Sequence, residues 1–193
     1  MTDQELIDGI LRQERKACQH LVEQYQHMVI KTAFYFIGNM QDAEDLSQDI
    51  FVDLIHSVKS FRGASTLQTW IYRITVNKSI NFVKRKQRRD IFIRLESLFS
   101  NSQKHEEFPF EEPAEKQTVY EQKEQHEMLH AAINRLPENQ RIAFVLAQFD
   151  QQSYRQIAEI MKLSLSSVES LIHRARVNLQ KSLVSQFTDY QTR

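Results

Sequence analysis

The stretch Ser153-Tyr154-Arg155-Gln156-Ile157-Ala158-Glu159-Ile160-Met161-Lys162-Leu163-Ser164-Leu165-Ser166-Ser167-Val168-Glu169-Ser170-Leu171-Ile172-His173-Arg174-Ala175-Arg176 decides the fold. Ser153 followed three residues later by Gln156 is a capping box, in which each side chain accepts from the other residue's backbone N–H. It opens a short helix whose apolar residues are Ile157, Ala158, Ile160 and Met161. Lys162-Leu163-Ser164 reads as a tight turn. A second helix starts at Ser164 or at Ser166, the latter with a capping box of its own to Glu169, and Val168, Leu171, Ile172, Ala175 and Leu179 give it an apolar stripe. Helix, short turn, helix is the spacing of a helix-turn-helix. Ser167, Glu169, Ser170, His173, Arg174 and Arg176 point outward, where they can reach base edges and phosphates. A plain helical hairpin with a solvated outer face is the competing reading.

Outward from this segment the rest of the chain is also helical in pattern. Three glycines and three prolines in 193 residues leave long stretches without a helix breaker. No window alternates like a half-buried strand, and 41% hydrophobic content suffices for real cores. The expectation is an all-α fold of two small helical domains joined by a flexible acidic linker, the second a helix-turn-helix domain. Helical periodicity runs from about residue 3 to residue 89, with interruptions at Gly38-Asn39 and around Arg62-Gly63-Ala64-Ser65; Gly38 reads as a left-handed residue closing a helix. The first domain is residues 1–90. Residues 91–117 read as linker, with Glu106, Glu107, Glu111, Glu112 and Glu115 among Phe and Pro. The second domain is residues 118–193, with Pro137 in the first turn of a helix.

The net charge of zero conceals an asymmetry. Residues 71–90 hold seven basic side chains against Asp90, and residues 91–130 hold four basic against nine acidic. Residues 131–193 are basic again, and residues 1–70 are acidic. Two basic modules around an acidic centre fit polyanionic partners better than a neutral total suggests.

Residues 66–89 read as one helix. At about 100° per residue, Trp70, Asn77, Asn81, Lys84 and Arg88 share an arc of roughly 60°, and Tyr72, Val76 and Val83 lie opposite, toward a core. An indole that can stack, amides that can read a Watson–Crick edge and cations that hold a backbone suit a strand separated from its duplex. A buried tryptophan on a merely solvated basic helix is the bland alternative. Upstream, Asp42, Asp45, Asp49 and Asp53 form one stripe, with Ala43, Leu46, Ile50, Leu54 and Val58 as the core face. Four like charges on one helix face repel, which suits a basic partner surface; an ordinary solvated face is the alternative.

Other chemistry is poorly supported. Cys18 is the single cysteine, so there is no internal disulfide and no Cys-x-x-Cys pair, in keeping with a reducing cytoplasm. The acidic start Met1-Thr2-Asp3-Gln4-Glu5 is not a signal peptide, and no run approaches the ~18 apolar residues of a membrane span. His126-Glu127-Met128-Leu129-His130 matches the short zinc-protease pattern His-Glu-x-x-His, in a His- and Glu-rich stretch with no strand beside it. No catalytic residue, metal, cofactor or small-molecule substrate is assigned.

Three blocks together resemble one family, the bacterial RNA polymerase sigma factors of the extracytoplasmic-function (ECF) group. They are Asp42-Ala43-Glu44-Asp45-Leu46-Ser47-Gln48-Asp49-Ile50-Phe51; Phe61-Arg62-Gly63 through Thr69-Trp70-Ile71-Tyr72-Arg73-Ile74-Thr75-Val76-Asn77; and Leu136-Pro137-Glu138-Asn139-Gln140-Arg141 with the helix-turn-helix. The resemblance implies a cytoplasmic transcription initiation factor that binds core RNA polymerase and directs it to promoters, helping to open the −10 element. Asp45, Gln48 and Asp49, flanked by Asp42 and Asp53, would bind core polymerase. Phe61, Asn77 and Asn81 would hold a flipped −10 base, with Trp70 near the point of strand separation. Arg73, Lys84, Arg85, Arg88 and Arg89 complete the −10 set. Ser170, His173 and Arg174 would face duplex −35 DNA, with Arg176 on phosphate and Ser164, Ser166, Ser167 and Glu169 alongside. An anti-sigma factor is implied as a further partner. Glycine is common in similar proteins where Lys162 and Ser166 stand, and a basic residue where Glu169 stands; a carboxylate there repels phosphate and can accept from a cytosine amino group.

Two promoter elements need a reach of roughly 50–70 Å, and 27 linker residues span at most ~90 Å. The main rival is a stand-alone helix-turn-helix regulator, which predicts a dimer on a palindrome. A helical protein-interaction module without DNA is a third reading.

Overall fold

The computed structural model describes the backbone of residues 1–99 and 128–191, and side chains of residues 1–89, 91–92 and 128–184. The described residues form helices joined by turns, with no strand among them. The first module contains α1 (Asp3–Leu11), α2 (Arg15–Ile37), α3 (Met40–Ser57), a 3-10 turn at Val58–Ser60, and α4 (Leu67–Phe99). In the second, residues 128–134 are helical (α5), followed by α6 (Glu138–Gln148), α7 (Tyr154–Met161) and α8 (Leu165–Gln191).

Helix ends follow local chemistry. Gly38 closes α2 at φ +79°, as its position implies, and Asn39 then caps α3 by accepting from the Asp42 N–H. Ser153 and Gln156 form the expected capping box of α7. The second proposed box does not form: Ser164 caps α8, its hydroxyl accepting from the Ser167 N–H, and Ser166 lies inside the first turn. Pro137 sits one place earlier than expected, as the residue before α6.

Two boundaries differ more. The periodicity from residue 3 is broken at Arg12–Glu14, where Gln13 turns left-handed at φ +59° and α2 doubles back on α1. Gly9 permits this, because a Cβ there would stand 2.7 Å from the Cβ of Ala17. Helix α4 runs to Phe99, ten residues past its expected end at 89. The glutamate-rich segment from Glu106, and His126 and Glu127, lie outside the described residues.

The core of the first module joins Leu6, Leu21, Val29, Ala43, Ile50, Leu54 and Ile71, all fully or nearly fully buried. The expected core stripe of α3 is buried throughout. A second cluster includes the whole α8 stripe, Val168, Leu171, Ile172, Ala175 and Leu179, with Ile133, Val145, Leu146 and Ile157. It does not stop at the module boundary: Phe36 of α2 and Tyr72, Val76 and Ile80 of α4 belong to it. Tyr72 and Val76 are buried as their spacing requires, but against the second module. The two helical modules therefore share one apolar seam.

Candidate nucleic-acid and polymerase interface

The acidic stripe of α3 divides in two. Asp42 pairs with Lys86 at 2.7 Å and Asp53 with Lys78 at 2.5 Å, both lysines coming from α4. Its outer charges are thus balanced inside the chain, contrary to a stripe of four uncompensated carboxylates. Glu44, Asp45, Gln48 and Asp49 are exposed. Val52, one turn from Asp49 and off the apolar stripe, is 51% exposed. A carboxylate pair with a bare valine is a better docking surface than charge alone. Its place off the α3 core stripe is the sequence signal that could have singled Val52 out.

Thr66 caps α4, its hydroxyl accepting from the Thr69 N–H. The loop before it presents Phe61, whose ring tilts onto Trp70 at 5.5 Å between centroids. Trp70 is half-buried and forms one wall of an open groove of about 630 Å³ with His56, Lys59 and Ile74. Further along, Asn81, Lys84, Arg85, Arg88 and Arg89 are exposed, with the Arg85 guanidinium 5.7 Å over the Phe82 ring. Asn77 is exposed too, at the mouth of a cavity of about 330 Å³ between α4 and the second module. The predicted arc of indole, amides and cations is therefore a surface feature. Arg73 and Lys84 differ from Arg85 and Trp70 in having partners in the second module, the α7 carbonyls of Glu159 and Ile160 for Arg73 and the Glu138 carboxylate for Lys84.

In the helix-turn-helix, Lys162 makes the turn at φ +56°, a left-handed conformation that β-carbon sterics disfavour. Ser164, Ser166, Glu169, Ser170, His173, Arg174 and Arg176 are exposed along α8, and Ser167 is half-buried. The Arg174 Nε donates to the Ser170 carbonyl at 3.2 Å. Leu163 and Leu165 beside the cap are exposed at 37% and 41% and join this surface. Periodicity had not marked them, because they flank the turn.

His130, the described half of the zinc-like motif, is buried against Phe34, with ring centroids 5.6 Å apart, and lies under Gly38. Packing accounts for its presence. Among the described residues no group of three or more His, Cys, Asp or Glu is placed to hold a metal ion, and no helix is long and apolar enough to cross a membrane.

A cationic, aromatic helix in one module and a helix-turn-helix in the other define a two-module helical DNA-binding protein. Family models agree: residues 21–89 match Sigma-70 region 2 and residues 126–179 match Sigma-70, region 4. The chain is 32% identical over 183 residues to the RNA polymerase sigma-H factor of Pseudomonas aeruginosa, covering 94% of this chain and 93% of that one. It is 32% identical over 181 residues to the ECF RNA polymerase sigma-E factor of Escherichia coli K12, covering 91% of each. The fold matches the sigma factor RpoE of Bartonella quintana, solved with the anti-sigma factor NepR, at a TM-score of 0.55 and 22% identity over 86% of this chain and 95% of that one. The chain belongs to the sigma-70 family, among the ECF RNA polymerase sigma factors. It is a promoter-directing transcription initiation factor, a class of protein distinct from classical enzymes.

Proposed function

We propose that three separate surfaces divide the work of initiation. Asp45, Gln48, Asp49 and Val52 on α3 dock on core RNA polymerase, Asp42 and Asp53 setting the pose of α3 through their lysines. Phe61, Trp70, Asn77 and Asn81 receive the melted −10 strand, whose backbone runs over Arg73, Lys84, Arg85, Arg88 and Arg89. The start of α8, with Ser164, Ser166, Ser167, Glu169, Ser170, His173, Arg174 and Arg176, enters the major groove of the −35 element. In this reading residues 1–90 and 118–193 are the functional domains, and residues 91–117 connect them. The chain works in the cytoplasm and performs no covalent chemistry. Its energy comes from phosphate contacts, and specificity from a few base contacts and capture of an unstacked base.

The observation that carries this reading is the exposure of Asn77 and Asn81 on the helix that holds Trp70 beside Phe61. A packing role would have buried the amides. RpoE of Bartonella quintana was solved with an anti-sigma factor, and the same kind of partner is proposed here. The test is transcription in vitro with purified core polymerase on a genomic template, with the transcripts sequenced. Discrete start sites that depend on this chain, and that vanish with Asn77→Ala/Asn81→Ala, support the reading; random starts oppose it.

A further inference from the structure

Helix α8 carries one carboxylate, Glu169, on an outer face otherwise made of hydroxyls and cations. Val168, Leu171, Ile172, Ala175 and Leu179 are buried and fix the roll of the helix. At about 100° per residue, Ser166, Ser170 and His173 then lie directly opposite that stripe, and all three are exposed. Glu169 and Arg174 stand on opposite flanks of this ridge, both exposed as well. Leu165, one turn before Glu169 and on the same flank, is 41% exposed.

The polar groups around it are partly engaged within the helix. The Ser164 hydroxyl bonds to those of Ser166 at 3.1 Å and Ser167 at 2.7 Å, and the Arg174 Nε donates to the Ser170 carbonyl. The Glu169 carboxylate has neither an ion pair nor a hydrogen bond among the described residues. An ionised carboxylate only accepts, so it is repelled by phosphate and needs a donor. On the floor of the major groove the donors are the cytosine N4 and adenine N6 amino groups. Adenine sets its N7 acceptor beside that amino group, against the second carboxylate oxygen, whereas cytosine sets a C5–H there.

We infer that Glu169 determines one base of the −35 element, accepting a hydrogen bond from the N4 amino group of a cytosine. Leu165 supplies the apolar contact for the C5 edge of a pyrimidine on the same flank. The residue works by rejection as much as by attraction. Guanine or thymine at that position turns an acceptor, O6 or O4, toward the carboxylate and leaves it desolvated without a partner. Ser170, His173 and Arg174 read other positions, and Arg176 keeps its phosphate. The second turn of α8 is the right place for such a group, because the N-terminal residues of a recognition helix contact base edges. The inference rests on α8 lying in the major groove of the −35 element.

The experiment is transcription in vitro by the full chain with core polymerase on a pool of barcoded templates. Their −35 element is randomised, and spacer and −10 element are held as in a promoter recovered by transcript sequencing. Transcripts are counted for the wild type, Glu169→Gln and Glu169→Arg. The wild type should prefer cytosine to guanine at one −35 position by about tenfold. At that same position Glu169→Gln should move the preference to adenine and Glu169→Arg to guanine, each matching the major-groove edge of its base. Preferences at well-separated positions should change by less than about twofold. Because Glu169 is exposed, both variants keep the core intact. A base preference that neither variant alters at any position overturns the proposal. So does a gain by Glu169→Gln that is uniform across all templates, which a carboxylate that merely repels phosphate would give. Indifference of the wild type to the whole −35 sequence, with Arg174→Ala silent as well, would instead remove α8 from the groove and the proposal with it.

Discussion

Thr32 and Asp150, 118 residues apart in sequence, meet across the two modules in a buried hydrogen bond of 2.7 Å from the threonine hydroxyl to the carboxylate. Burial pushes the Asp150 carboxyl up to about 6 from 3.8, and the Thr32 hydrogen bond and the nearby Lys31 charge only partly offset this. The other titratable neighbour, the Tyr72 hydroxyl, is itself pushed up, chiefly by burial and also by Asp150.

A pH dependence with a definite sign follows. Burial in the folded chain raises the Asp150 pKa, so the packed seam gains stability on protonation. That gain is complete below pH 3.8 and is lost as pH rises through 6. Urea unfolding of the full chain should show a more stable seam at pH 5 than at pH 7.5. Asp150→Asn should flatten the difference and stabilise the protein at pH 7.5 by about 1–3 kcal/mol. A wild-type dependence that survives Asp150→Asn would assign it to other groups.

The acidic helix gives a contrast within one stripe. Asp45 and Asp49 are exposed, whereas Asp42 and Asp53 are paired with Lys86 and Lys78. Charge reversal, Asp45→Lys/Asp49→Lys, should weaken binding to core polymerase by about 2–4 kcal/mol without lowering Tm. Asp42→Asn should cost stability of about 0.2–1 kcal/mol and leave polymerase affinity within about threefold. Surface plasmon resonance and thermal melts separate the two, and equal effects on affinity would refute the division.

Two of the left-handed residues, Lys162 and Gly38, predict opposite responses. Lys162 holds φ +56° with a β-carbon present, so Lys162→Gly should stabilise by about 0.5–1 kcal/mol. Gly38→Ala should destabilise by about 1–3 kcal/mol, since an added Cβ meets His130 at 3.2 Å in addition to the φ of +79°. Differential scanning calorimetry reads both, and a drop in Tm for Lys162→Gly would contradict the strain.

On DNA, Arg174→Ala should cost about 1–3 kcal/mol at the −35 element and relax its sequence preference. Trp70→Ala should leave binding to duplex −35 DNA unchanged and reduce strand opening, read as permanganate reactivity of −10 thymines. Loss of both activities together would place Trp70 in the core and not at the fork.

Most of the fold was legible in the sequence because its signals are local. The apolar stripes of α3 and α8, the box at Ser153 and the turn at Gly38 each depend on residues within a few positions. The Arg12–Glu14 break was hidden because its cause, Gly9 against Ala17, is a contact between two helices that periodicity treats as one. Long-range pairing was equally hidden. Nothing in the spacing of Asp42 or Lys86 says that they meet, and the face of Tyr72 and Val76 reads as core whichever module covers it. The candidate DNA surfaces were legible as arcs on single helices. That Arg73 and Lys84 face the second module while Arg88 faces solvent required the folded chain.

The most direct measurement is a gel-shift titration on a promoter recovered by transcript sequencing, with and without core polymerase. Tight, start-site-specific binding that appears only when core polymerase is added, and that Asp45→Lys/Asp49→Lys abolishes, is the expected result. Strong and specific binding to the same duplex by the chain alone, unaffected by that substitution, would contradict it.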